Sequence, residues 1–276
     1  MIAKRHLAGH MRVMDSMLVF DRVAVRHHRD RASRNVARVS DLLRDTADRL
    51  LDRLDDTTRR FATALDVGGR GVVAPMLRAR GIATVSCDLS PRMAALSAGA
   101  CVAADEEFLP FAPASFDVIV ANLSLHWIND LPGALIQLRQ ALRPDGLFLA
   151  SLPALGTLSE LRTTLAEAET ALSGGLSPRV SPFPELRDCA HLLQRAGFRL
   201  PVADMDEIRL LYGDPFALLR DLRAAGETNA VRLRDRHVPP RDLFPAALAA
   251  LPQENGRFVV SLRLAMLTGW APPEGD

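Results

Sequence analysis

Ala64-Leu65-Asp66-Val67-Gly68-Gly69-Arg70-Gly71, followed by Asp88 and then Asp105, decides how this chain is read. A short apolar run ending in an acid and a cluster of glycines predicts a strand, a tight turn and a helix. Gly68, Gly69 and Gly71 permit positive φ and close approach of the backbone to a ligand. The helix behind them would present its first amides to an anionic group. Asp88 lies 22 residues beyond Asp66, at the end of a second predicted strand. An acid at that place accepts hydrogen bonds from both hydroxyls of a ribose. Asp66, at the mouth of the turn, would repel a pyrophosphate, because like charges in a cleft of reduced dielectric cost energy. It suits a phosphate-free cofactor with a cationic centre. S-adenosylmethionine, with an α-amino group, a sulfonium and a ribose, has that chemistry.

Outward from this segment, short apolar runs recur at 62–67, 83–87, 118–121 and 147–152. A helix over 131–142 separates the last two, and Arg143-Pro144-Asp145-Gly146 reads as the turn that stops it. Strand, helix, strand repetition predicts βαβ units and a parallel sheet covered on both faces. Upstream, Ser40 reads as an N-cap, with Leu43, Ala47, Leu50, Leu51 and Leu54 at helical spacing after it. Downstream, helices are expected over 155–172, over 188–196 (closed by Gly197) and over 216–224. Strands are expected over 207–211 and 258–267. Gly174-Gly175-Leu176-Ser177-Pro178 reads as a long loop near the site. Residues 1–38 form a leader with a helix or two packed loosely on the rest. Residues 39–276 form the main domain, with helical insertions at about 155–200 and 213–250 forming a cap over the site.

An apolar content of 48% supports a substantial core. A net charge of +1 gives no global electrostatic case for nucleic acid or an anionic membrane. Cys87, Cys101 and Cys189 have neither metal nor redox spacing, which points to a reducing compartment and a cytoplasmic protein. No apolar run reaches the length of an integral membrane segment. Lys4, Arg5 and Arg12, with no acid before Asp15, faintly resemble a transit peptide without its serine richness. A disordered start, or a true start at Met11 or Met14, fits these residues better. The leader arginines alternate with aspartates and lack interleaved aromatics, so a solvated face is expected rather than a nucleic-acid patch.

Beyond the glycines, the expected cofactor contacts are Asp66, Asp88, Leu89, Asp105, Glu106 and Asn122. Asp105 would accept from the adenine amino group while Phe108 or Leu109 packs on the ring. Asn122 follows the fourth strand, at the cleft where such sheets bind ligands. His126 is the catalytic candidate, orienting substrate or moving a proton, whereas Trp127 is expected to pack with its N–H satisfied. Gly226-Glu227-Thr228-Asn229-Ala230 is either a substrate loop or a helix-ending turn, and Tyr212 faces either pocket or core. His28-Arg29-Asp30 spells part of an iron site. On a helix its side chains point to different faces, so no metal site is expected.

Asp66-Val67-Gly68-Gly69-Arg70-Gly71, Cys87-Asp88, Asp105 and Arg143-Pro144-Asp145-Gly146 resemble class I S-adenosylmethionine-dependent methyltransferases of the type 11 group. The stretches 104–111 and 123–132 are similar to the mitochondrial complex I assembly factor 5 family and, more distantly, to malonyl-carrier-protein methyltransferases. So are Phe20-Asp21-Arg22, the 174–178 and 181–183 stretches, Arg195-Ala196-Gly197-Phe198, Asp206-Glu207-Ile208, the 226–230 loop and Gly269-Trp270. The resemblance covers nearly the whole chain. It implies a Rossmann-like α/β fold with a seven-stranded, mostly parallel sheet, the last strand antiparallel, and helices on both faces. It also implies S-adenosylmethionine binding. The mitochondrial member is regarded as a protein-arginine hydroxylase acting on an NADH dehydrogenase subunit, so fold does not settle the reaction. The expected activity is methyl transfer to an unidentified acceptor, a small molecule or a carrier protein. Hydroxylation of an arginine on a respiratory subunit is the alternative. The glycine turn is one residue shorter than the family's Asp-x-Gly-x-Gly-x-Gly, which favours a third reading, a non-catalytic assembly chaperone.

Overall fold

The computed structural model describes residues 18–275. The expectations for the first residues of the chain lie outside that range. Helix α1 (Arg22–Ala32) and a 3-10 turn (Val36–Val39) lead into α2 (Ser40–Leu51). Strand β1 (Thr63–Val67), α3 (Val73–Ala79), β2 (Ala83–Asp88), α4 (Pro91–Ala94) and β3 (Cys101–Ala103) follow. Then come β4 (Phe116–Asn122), α5 (Leu131–Ala141) and β5 (Leu142–Pro153). The second half holds α6 (Ser159–Ser173), α7 (Leu186–Arg195), β6 (Arg199–Tyr212), α8 (Phe216–Ala225), α9 (Leu243–Ala249), β7 (Gln253–Glu254) and β8 (Arg257–Trp270).

The strands make one sheet in the order β3-β2-β1-β4-β5-β8-β6, with β7 paired to β8. The pairs from β3 to β5 are parallel, and β8 runs antiparallel between β5 and β6. This is the expected mostly parallel sheet with its last long strand reversed, plus the two-residue β7. Strand β4 shows why both faces are covered. Val118 and Val120 pack with Leu43, Leu50, Leu51 and Leu77 of α2 and α3 on one side. Ile119 and Ala121 pack with Leu135, Leu138 and Leu193 of α5 and α7 on the other. Alternation along a strand sends successive side chains to opposite faces, and both are apolar here. A third cluster joins α6, α8 and α9 through Leu161, Leu165, Leu218, Leu243 and Leu248 to Val260 of β8.

Several boundaries differ from the sequence expectation. Helix α6 starts at Ser159 rather than near 155, because Gly156 and Leu158 both take positive φ. Arg143-Pro144-Asp145-Gly146 lies inside β5, and the turn survives as a left-handed residue, Asp145 with φ 57°. Strand β6 is 14 residues long against the five expected. It is an edge strand, and Asp204, Asp206, Glu207 and Arg209 interrupt its apolar alternation. Helix α9 falls within the helical insertion expected at about 213–250, where the sequence pattern alone bounds only the helix at 216–224. Helix α1 does not pack loosely: Phe20, Ala24, Val25, Trp127, Ala230 and Val231 form a buried cluster of their own.

Candidate cofactor and acceptor site

At the carboxyl end of β1 the backbone turns at Gly68, whose φ is +81° and whose N–H donates to the Cys87 carbonyl over 2.7 Å. A Cβ there would sit 2.1 Å from the Ser124 Cβ, so only glycine fits. Ser124 in turn donates to the Val67 carbonyl over 2.8 Å, clamping the turn to the end of β4. A Cβ at Gly69 or Gly71 would crowd Ser97 or Leu96 at 3.1 Å.

Asp66 lies beneath this turn rather than at its mouth, only 1% exposed. Its Oδ2 accepts from the Ala74 amide and the Ser86 hydroxyl, while Oδ1 has no partner among the described residues. Burial pushes its carboxyl up to about 8, against the pull of those donors. Asn122 is also committed to the scaffold. Its Nδ2 donates to the Leu43 carbonyl and its Oδ1 accepts from Ser151.

Asp88, Asp105 and Glu106 do come together, and arginines of α1 hold them. Arg29 is 1% exposed. Its Nη1 donates to Asp88 Oδ2 at 2.8 Å and to Glu106 Oε1 at 3.3 Å, and its Nη2 to the Ser124 carbonyl at 3.3 Å. Arg22 binds Asp105 and Glu106 and donates to the Trp127 carbonyl at 3.1 Å. Burial raises the carboxyl of Asp88 even though Arg29 and the Ser90 amide favour its charged form. Leu89 packs under α1 in the cluster around Phe20. Phe108 is 76% exposed, and Leu109 packs on the core.

Sequence reasoning missed Arg22 and Arg29 because arginine runs are normally solvated. A signal was present: Arg22, Val25, Arg29 and Ala32 fall at i, i+3, i+7 and i+10 on one face, and three of the four are buried. Phe20-Asp21-Arg22 fixes that face. Phe20 meets Trp127 edge-on with centroids 5.2 Å apart. Asp21 caps α1 through the Ala24 amide at 3.0 Å and pairs with Arg234 at 2.9 Å.

On the other side of the turn lies a cavity of about 140 Å³. Leu42 and Leu43 of α2, Leu158 and Leu161 around the start of α6, Phe183 of the loop after α6 and Leu218 of α8 supply much of its apolar wall. Val180 and Ser181, a little beyond the glycine-rich loop, and Tyr212 also line it. At its polar end stand Arg70, His126 and Glu227. Glu227 binds the Arg70 guanidinium through Oε1. Through Oε2 it meets His126 Nε2 and the Trp127 indole N–H, each at 2.6 Å. Burial opposes the charge on Glu227, but His126 and Arg70 outweigh it and hold the carboxyl well below its usual range. The 226–230 loop therefore faces the cavity, and the Trp127 N–H is satisfied as expected. His28 and Asp30 have separate partners: burial lowers His28, which meets the backbone of Thr228, while Asp30 accepts from Ser90.

A doubly wound sheet with a reversed last strand, a glycine turn after β1 and acids after β2 and β3 defines a Rossmann-like methyltransferase fold. Residues 26–201 match the model of a methyltransferase domain, and the chain belongs to that family of enzymes. S-adenosylmethionine is the family's cofactor. The chain is 37% identical over 273 residues to an arginine-hydroxylase, NDUFAF5, of Danio rerio, covering 94% of this chain and 85% of that protein. It is 35% identical to a malonyl-[acyl-carrier protein] O-methyltransferase of Xylella fastidiosa, covering 92% and 89%. The solved YcgJ protein of Bacillus subtilis shares the fold, with a TM-score of 0.56 at 14% identity over 82% of this chain and 98% of that one. The residues present fit such a cofactor: Asp88, Asp105 and Glu106 gather carboxylate acceptors beside the glycine turn, and the Gly68 cradle excludes any side chain.

Proposed function

We propose that this protein transfers a methyl group from S-adenosylmethionine to an acceptor seated in the 140 Å³ cavity. One observation carries this reading: Arg70 of the glycine turn and His126, just after β4, both line that cavity, so the acceptor space abuts the cofactor turn. Asp88 and Leu89 would hold the ribose, Asp105 and Glu106 the adenine edge, and the amides of Gly68, Gly69 and Gly71 the methionine carboxylate. Asp66 and Asn122 would support the site from beneath. When bound, the cofactor supplies an electrophilic methyl group. The protein supplies proximity and alignment. Residues 39–276 would form the catalytic domain, the helices around α6, α8 and α9 closing over the cavity.

A second reading is hydroxylation of an arginine on a NADH dehydrogenase subunit. It is supported by the 37% identity to a protein named for arginine hydroxylation. The likeness to the malonyl-carrier enzyme supports a carrier-protein acceptor instead. The self-filled acids favour a third reading, an assembly chaperone. Among the described residues no helix is long and apolar enough to cross a membrane. A cytoplasmic site of action accords with that and with three free cysteines.

Calorimetry with S-adenosylmethionine is the first test: binding to the wild type and its loss in Asp88→Ala are expected. Mass spectrometry of respiratory subunits, carrier proteins and small molecules from a deletion strain then separates the readings. A lost methyl mass supports transfer and a lost oxygen mass on arginine supports hydroxylation. An unchanged profile with no cofactor binding leaves the chaperone.

A further inference from the structure

At the polar end of the acceptor cavity two buried nitrogens lack a hydrogen-bond partner among the described residues: Arg70 Nε, a donor, and His126 Nδ1. His126 is 7% exposed and lines the cavity, with its ring 6.5 Å from that of Phe183. Its Nε2 is engaged by Glu227, and its Nδ1 is buried with no hydrogen-bond partner among the described residues. In the neutral tautomer that donates Nε2–H to the carboxylate, Nδ1 keeps its lone pair. A buried acceptor left unmatched is costly, and a single donor relieves it.

The charged residues of the lining tell what that donor belongs to. Arg70 is paired with Glu227, Arg179 with Glu169, and Asp221 with Arg38. Each charge already has its counter-ion, so a carboxylate or a guanidinium entering the cavity would bring a net charge that no unpaired counter-ion in the lining balances. Leucine, valine and phenylalanine make up most of the remaining wall, and of its polar members Thr157 donates to the Arg263 carbonyl and Asn229 to the Pro178 carbonyl. The cavity volume is that of an apolar cavity able to take a benzene-sized group, about 150 Å³.

We infer that this cavity binds an uncharged hydroxyl compound. A ring or short chain of about benzene size fills the apolar wall, and the hydroxyl donates to His126 Nδ1. The catalytic part rests on the methyl-transfer reading. As the hydroxyl oxygen bonds to the methyl carbon, the O–H bond breaks and its proton passes to Nδ1. The sulfur keeps the electron pair of the bond it loses. The imidazolium so formed is held by the Glu227 carboxylate, which makes Glu227 a positioning residue.

The binding part is tested on the full chain without cofactor, by calorimetry with phenol, benzene, acetate and methylguanidinium. Phenol should bind about tenfold more tightly than benzene, the worth of one hydrogen bond, and the two ions should not bind. His126→Phe should bring phenol and benzene to equal affinity, and Leu161→Trp, which fills the cavity, should abolish both. In the wild type, phenol should also shift the His126 Nδ1 resonance in nitrogen NMR. Preference for acetate or methylguanidinium, equal binding of phenol and benzene to the wild type, or binding of none of the four overturns the inference. S-adenosylmethionine is titrated in parallel. Loss of its binding with the phenol preference intact sinks methyl transfer and leaves the subsite. The reverse result sinks the subsite alone.

Discussion

At the scale of single residues, burial decides more than charge type does. Asp66 carries the acid that opens the glycine turn, yet it lies under the sheet's end with its carboxyl raised to about 8. In the unfolded chain the same acid ionises near pH 4. The folded state therefore binds the extra proton between those values, and stability falls as pH rises from about 4 to about 8. Asp66→Asn removes that term. The variant should be more stable than the wild type at pH 7, on the order of 4 kcal/mol, and the two should converge below pH 4. Urea unfolding at a series of pH values reads this directly. Glu227 works in the opposite sense, since its carboxyl is held low by His126 and Arg70. Glu227→Gln strips the buried Arg70 of its counter-charge and should cost about 3 kcal/mol, seen as a lower urea midpoint at unchanged slope. Gly68→Ala meets both a positive φ and the Ser124 Cβ. It should lower the melting temperature more than Gly174→Ala, which also has positive φ but open space around it.

At the scale of elements, α1 is the one whose role the sequence pattern understated. It delivers Arg29 to Asp88 and Glu106, and Arg22 to Asp105 and Glu106. Arg29→Met leaves two buried carboxylates without their guanidinium. At pH 7 this should destabilise the fold by about 3 kcal/mol, with the loss shrinking on acidification as Asp88, its carboxyl already raised by burial, protonates. The same variant should bind S-adenosylhomocysteine more tightly than the wild type, because no guanidinium competes for Asp88. Weaker binding on calorimetry would show that Arg29 assists the cofactor instead. The paired strands β6 and β8 carry a different lesson. Each runs to 14 residues, and the length of β6 escapes the sequence pattern because an edge strand tolerates charges that break its alternation.

At the scale of the whole molecule, segments near residues 20–30, 88, 105, 126 and 227 meet at one end of the sheet. Amide hydrogen exchange should find Val25 and its neighbours in α1 protected as well as β1 and β4, not fraying like a leader. Rapid exchange there in the wild type would mean that α1 opens independently of the sheet. Much of this architecture was legible beforehand. Val118 to Ala121 announced a strand covered on both faces, Gly68 a turn that excludes side chains, and Asp88 and Asp105 the acids at the strand ends. The sequence by itself determined the class of fold, the cofactor and the ring of acids, because strand alternation, helical period and glycine stereochemistry are set within a few residues. Tertiary structure alone decided that Asp66 lies beneath the turn, that Arg29 meets Asp88 across 59 positions of chain, and that Glu227 gathers Arg70, His126 and Trp127. Such pairings depend on which face of a helix is buried and what the fold brings opposite it. A charged side chain read in isolation is taken as solvated, and only packing shows where it is not.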